Sequence, residues 1–244
     1  MSKFVTLTVG STAAALAVLL VTGVASGQVA YPPPAECPPP ANTIVGTEGN
    51  DNLKGTSAND LILAFGGDDR ADGKNGDDCL LMGTGNDRGK GGNGVDSIFG
   101  DEGNDRLDGG KSNDTVNGQA GNDRVAGAAG IDDLHGEDGR DLLLAGTGID
   151  TADGGAGRDR VYGGSGPDHV QGGDGNDRVK GDSGKDDVDG GAGNDRLLGG
   201  GQADTLRARD GERDRVNCGG GKDTAIVDSQ DRVSRNCETV MVGP

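Results

Sequence analysis

Gly154-Gly155-Ala156-Gly157-Arg158-Asp159-Arg160-Val161-Tyr162 is followed without a break by Gly163-Gly164-Ser165-Gly166-Pro167-Asp168-His169-Val170-Gln171 and by Gly172-Gly173-Asp174-Gly175-Asn176-Asp177-Arg178-Val179-Lys180. The three nonapeptides share one frame, which extends in both directions, from Gly46 to Arg207, as 18 copies without insertion or deletion. The sixth position is Asp in every copy: Asp51, Asp60, Asp69, Asp78, Asp87, Asp96, Asp105, Asp114, Asp123, Asp132, Asp141, Asp150, Asp159, Asp168, Asp177, Asp186, Asp195 and Asp204. Gly holds the first position in 15 copies, failing at Ala64, Met82 and Ala145, and the fourth in 15, failing at Ala58, Ser112 and Gln202. Val, Ile or Leu holds the eighth in 15, failing at Ala71, Gly89 and Ala152. Four columns held in phase from Gly46 to Arg207 mark a repeat architecture, in which one small unit buries its apolar side chain only by stacking on its neighbours.

Each column has its own physics. Gly at positions one and four permits backbone angles closed to other residues, so the first six residues are expected to form a tight turn. The Asp ending that turn presents a carboxylate beside backbone carbonyls. Oxygen-only ligands at high negative charge suit a hard cation, and flexible geometry favours Ca²⁺ over Mg²⁺. The remaining polar–aliphatic–polar triplet predicts a short strand with one side chain inward. Two nonapeptides complete a coil, so the repeat predicts about nine coils stacked about 4.8 Å apart, a rod roughly 40 Å long.

The composition agrees with a scaffold held by something other than a large core. The chain of 244 residues has 50 Gly, three Phe, two Tyr and no Trp, and 41 acidic against 23 basic residues give a net charge of -18. Such a composition without a ligand is that of a disordered chain. It excludes ordinary enzyme folds, argues against nucleic acid or an anionic membrane as partner, and points to cations. Fifteen inward aliphatics do not offset the ordering of all 18 copies, so metal binding and folding are expected to be one event.

The nonapeptide Gly172–Lys180 resembles the RTX, or haemolysin-type, calcium-binding repeat. Copies starting at Gly91, Gly154, Gly163, Gly172 and Gly190 carry its glycines, Asp and aliphatic in full, and the resemblance spans about two-thirds of the chain. It implies an all-β, right-handed parallel β-roll with Ca²⁺ between turns two repeats apart. Each ion would take the Asp carboxylates of both turns and backbone carbonyls near the glycines. Carried onto this sequence, the 18 Asp become metal ligands, with Asp159 sharing an ion with Asp177 and Asp177 with Asp195. The accompanying glycines are Gly155, Gly157, Gly164, Gly166, Gly173, Gly175, Gly191 and Gly193. Up to about 16 ions follow, because the last coil leaves two half-sites among 18. Gly46–Leu63 lacks the second Gly, and Ala64–Asp72 and Met82–Lys90 lack the first, which weakens the resemblance there.

The ends are different in kind. Lys3, the apolar run Ala13–Val21 and the small residues after it describe a secretory signal peptide over residues 1–30, too short to span a bilayer. A Pro-rich linker follows over 31–45, with two Pro triplets favouring polyproline II. The roll is expected over 46–207. After Arg207 the phase breaks, since Asp214 lies one step beyond the nine-residue spacing from Asp204, and 208–244 reads as a C-terminal cap closed by Cys218–Cys237. Cys37 and Cys79 remain and would pin the linker to the first coils. The expected product is a secreted or cell-surface monomer with no membrane span. The leader also argues against the repeat tail of a larger toxin.

Catalytic signatures are missing: there is neither a His-Glu-x-x-His nor a Gly-x-Ser-x-Gly run, and His135 and His169 lie at strand positions on different coils. The chain therefore reads as a binding and structural protein, not an enzyme. Position seven is Arg at 70, 88, 106, 124, 160, 178 and 196, with one gap at Leu142, so a column of Arg is expected on one sheet face. The column either offsets nearby carboxylates such as Asp72 and Asp108 or forms a Ca²⁺-ordered face for an anionic cell-surface or matrix polymer, an adhesion role. An ice-binding array is rejected, because only Thr84 with Asn86 meets its Thr and Asn positions.

Overall fold

The computed structural model describes residues 37–243. The expected signal peptide and the linker up to residue 36 lie outside the described residues. Each nonapeptide turns sharply over its middle residues and then runs as a strand from its seventh position into the first residues of the next copy. Arg160–Ser165 thus pairs in parallel with Arg178–Ser183, Arg160 facing Arg178 and Val161 facing Val179. The same offset of two nonapeptides repeats from strand to strand. Odd and even copies fall on opposite sides, giving a 13-stranded and an 11-stranded parallel sheet. The described residues contain no helix.

The interior is one apolar column fed by both sheets. Eighth-position side chains such as Val161, Val170, Val179 and Val188 are completely buried. First-position residues point inward beside them, and here the two columns compensate. The three copies that lack an eighth-position aliphatic are the same three that lack a first-position Gly: Ala64 with Ala71, Met82 with Gly89, and Ala145 with Ala152. A Cβ on Gly89 would lie 3.4 Å from Met82 Sδ and 3.1 Å from Ile98 Cγ2, so Met82 already fills the space that Gly89 leaves. Interior volume is kept while its source moves, as close packing requires.

The roll is longer than nine coils. A strand at Asn42–Val45 precedes the first strict copy, and strands at Arg215–Gly220, Thr224–Val227, Arg232–Val233 and Thr239–Val242 continue both sheets past Arg207, for about 11 turns. The nine-residue count stops where spacing changes, but pairing does not. Arg196 faces Arg215, one residue more than the usual offset, and Arg215 faces Arg232, one residue less. The extra residue falls in the turn at 209–214, where loop length is free to vary without moving the strands. Both disulfides form as the sequence suggests, Cys37–Cys79 and Cys218–Cys237, and the second ties the final coils together.

Candidate metal centre

Two ladders of Asp run along the turns, one on each edge of the roll. Within a ladder, the N–H of Asp141 donates to Asp159 Oδ1 at 2.7 Å, Asp159 to Asp177 Oδ1 at 2.7 Å, and Asp177 to Asp195 Oδ1 at 2.8 Å. The carbonyl of Asp159 accepts from Arg178 N–H on the next coil at 3.0 Å. Backbone N–H, backbone C=O and Oδ1 are therefore all committed to stacking. Oδ2 is left over.

In the sixteen Asp from Asp69 to Asp204, Oδ2 is buried and has no hydrogen-bond donor. A buried carboxylate oxygen without a donor is costly unless a cation faces it. The space beside it is kept open by the first-position glycine. A Cβ on Gly154 would come within 3.0 Å of Asp159 Oδ2, and one on Gly172 within 2.8 Å of Asp177 Oδ2. The first-position carbonyl of the next coil lies against the same spot, Gly172 O above Gly154 and Gly190 O above Gly172. No group of three or more His, Cys, Asp and Glu gathers at one point among the described residues. A cation here would therefore draw on two ladder carboxylates and on backbone oxygens, the hard-oxygen donor set that suits Ca²⁺.

Glycines at positions two and four serve another purpose. Gly155, Gly157, Gly164, Gly166, Gly173, Gly175, Gly191 and Gly193 all have positive φ, and each lies against the carbonyl of the same position one coil earlier. The turn demands this angle at position two in every copy from Ala64 onward, even where the residue is Phe65, Lys74, Gln119 or Glu137. First-position glycines such as Gly154 and Gly172 have no positive φ, so space and not backbone angle explains them. The sequence expectation assigned special angles to positions one and four; position four has them, whereas position one does not and position two does.

The first two copies are built differently. Thr47 and Thr56 occupy position two, and the N–H and hydroxyl of each donate to Oδ2 of Asp51 and Asp60. Asn42 Nδ2 also donates to Asp60 Oδ1 at 2.7 Å. Oδ2 of these two carboxylates has protein donors where Oδ2 of the other sixteen has none. At the far end the ladders run on through residues not singled out in the sequence. Asp195 N–H donates to Asp214 Oδ1 and Asp204 N–H to Asp223 Oδ1, at 2.7 and 2.9 Å, and Oδ2 of both Asp214 and Asp223 is again buried without a donor. Asp231, whose Oδ2 accepts from Asp228 N–H, and Glu238 then close the two ladders. The available signal was the shared spacing of Asp214 from Asp195 and of Asp223 from Asp204, hidden because it crosses the phase break.

The model of the RTX calcium-binding nonapeptide repeat matches residues 45–78, 83–116, 100–134, 135–170, 162–197, 171–206, 181–213 and 189–225. The chain belongs to that family. A search of curated proteins finds no match. RTX repeats bind Ca²⁺ in β-rolls, and the orphaned Oδ2 row is where this chain's residues fit the ion. The matched span reaches beyond Arg207, in agreement with the continued ladders.

Without a cation the ladder is electrostatically unfavourable. Burial, and then like charge from neighbouring rungs, pushes Asp114 and Asp195 up to about 8 and Asp159 and Asp204 up to about 7. Asp105, Asp123 and Asp168 rise to about 6 for the same first reason. His135 and His169 sit outside this system, on outward strand positions beside Asp133 and Asp187, at 3.2 and 3.5 Å.

Proposed function

We propose that this chain is an exported calcium-binding roll that folds on meeting extracellular Ca²⁺, acting as a structural and binding protein and not as a catalyst. The observation that carries the reading is the row of buried, donorless Oδ2 atoms, most of them beside space that a first-position glycine keeps open. Nine such carboxylates lie in each ladder, Asp69 to Asp214 in one and Asp78 to Asp223 in the other, leaving eight inter-coil gaps in each and sixteen in all. Asp51 and Asp60 hold no ion in this scheme, because Thr47 and Thr56 already satisfy them. Copies with Ala64, Met82 or Ala145 at position one carry a Cβ where the others leave space, and their sites should be weaker. Two disulfides suit an oxidising compartment, and the leader read over residues 1–30 would deliver the chain there as a secreted, monomeric protein. Residues 208–244 end the roll, the two closing acids taking the place of further rungs. Native mass spectrometry of the chain from Cys37 onward tests this: about sixteen Ca²⁺ should bind and none be retained in chelator. A maximum of only a few ions would contradict it.

A further inference from the structure

The 11-stranded sheet carries an arginine lane that does not end with the strict repeat. In register, Arg70, Arg88, Arg106 and Arg124 are followed by Leu142, then by Arg160, Arg178 and Arg196, and the column goes on through Arg215 and Arg232. One longer and one shorter step at the end keep Arg in line where the sequence period has been lost. All nine are exposed, and none forms an ion pair among the described residues. Like charges on directly adjacent strands repel, so the column is a cost in the absence of an anion. Charge balance with Asp72 and Asp108 does not take the form of ion pairs.

Two further features share this face. A groove of about 520 Å³ lies beside the lane, lined in part by Lys74, Lys90 and Lys111 and also by Asp72 and Asp108, so the cations outnumber the carboxylates there. Where Arg is interrupted, Leu142 and Leu144 pair with Arg160 and Tyr162 on the next strand, and Leu142, Leu144 and Tyr162 are all half-exposed. A ring C–H face can rest on Tyr162 and Leu144 while anionic groups on either side meet guanidinium forks, which bind carboxylate or sulfate in a bidentate way. The matching column on the 13-stranded sheet has no Arg at Thr115, Asp133, Thr151, His169 and Asp187.

We propose that this lane binds a linear acidic polysaccharide lengthwise, its charged groups on the Arg column and one sugar ring on the Leu142, Leu144 and Tyr162 step. Strands recur every ~4.8 Å, close to the length of one sugar unit in an extended chain, so successive rungs can meet successive sugars. The lane exists only in the folded roll and so rests on the function proposed above.

The test is retention on immobilised heparin in Ca²⁺, with far-ultraviolet circular dichroism run on every variant. Wild type should be retained in Ca²⁺ and released by chelator and by salt. Replacing Arg106→Ser, Arg124→Ser, Arg160→Ser and Arg178→Ser together should weaken binding by about tenfold or more with the Ca²⁺ folding transition unchanged. Lys at the same four positions should weaken it by less, giving a second reading if the Ser variant folds poorly. Tyr162→Ala should cost several-fold on heparin and nothing on polyphosphate. Equal retention of the Ser and wild-type chains would overturn the proposal. So would equal binding to polyphosphate or single-stranded DNA with no effect of Tyr162→Ala, or self-association in sedimentation that accounts for the retention. Loss of the Ca²⁺ transition in wild type would instead refute the folding function on which the lane depends.

Discussion

Asp177 holds the coil before it through Oδ1 and leaves Oδ2 buried and donorless, so one side chain is both a structural clamp and a candidate ligand. Asp177→Asn separates the two uses. The amide oxygen can still accept from Asp159 N–H, while the charge facing two cation gaps is lost. Its Ca²⁺ midpoint for folding should rise several-fold, whereas Asp60→Asn, where Thr56 and Asn42 already engage the carboxylate, should leave the midpoint nearly unchanged. Calcium titrations of the two variants followed by circular dichroism decide this. Proton linkage has a definite sign. The ladder carboxylates have folded values raised to about 6 to 8, above the ordinary carboxylate range. Their contribution to the metal-free roll is therefore fully present near pH 4 and is lost as pH rises through that window. In chelator, β content should grow as pH falls from 8 to 5. In Ca²⁺ the midpoint should worsen over the same range, because protons compete for the same oxygens. A chelated chain whose spectrum does not change with pH would contradict both. At this level much was legible: the Asp column and the aliphatic column can be read directly. The roles of positions one and two were not, since seven non-glycine residues at position two hide the left-handed angle. A three-dimensional crowding, invisible in one dimension, is what favours Gly at position one.

Each strand is only a few residues long and buries little by itself, so it persists through its two neighbours. The final strands have weaker support. Thr239–Val242 is exposed along its whole length, with Val240, Met241 and Val242 at 44%, 52% and 63%, and it forms the open edge of its sheet. Cys218–Cys237 closes a loop over those last coils, worth about 3 kcal/mol in the chain-entropy view. Cys218→Ser with Cys237→Ser should therefore expose amides of 215–242 to hydrogen exchange while those of 106–200 stay protected in Ca²⁺. Uniform protection would show that the disulfide does not hold this end. The strands after Arg207 were hard to read because the period is a property of strand plus turn, whereas pairing depends on the strand alone. An added residue at 209–214 destroys the nine-residue phase and leaves Thr205 facing Thr224. The paired exceptions, Met82 with Gly89 above all, also look like noise until both positions are seen to face the same interior column.

The molecule as a whole joins a thin apolar column to two rows of buried carboxylates, and the first is too small to hold the second together unaided. On the function proposed above, the net charge of -18 is the counterpart of the bound cations. In the unfolded chain those carboxylates are hydrated and dispersed; in the roll they are stacked one coil apart with one oxygen each lacking a donor. On the same proposal, the folding free energy at neutral pH is largely the binding free energy of the ions, and the fold should appear there only when they do. Architecture was legible in the sequence because each coil prints itself as two successive nonapeptides. The expectation that folding depends on metal rests on charge and on the scarcity of aromatic residues. Which carboxylates are already satisfied was not, because Thr47 and Thr56 matter through hydrogen bonds that no spacing announces. The most direct measurement is far-ultraviolet circular dichroism of the chain from Cys37 onward, first in chelator and then titrated with Ca²⁺ and, separately, Mg²⁺. A cooperative passage from coil to β-structure with Ca²⁺ and none with Mg²⁺ is expected; a fully β spectrum in chelator at neutral pH would show that the roll stands without its metal.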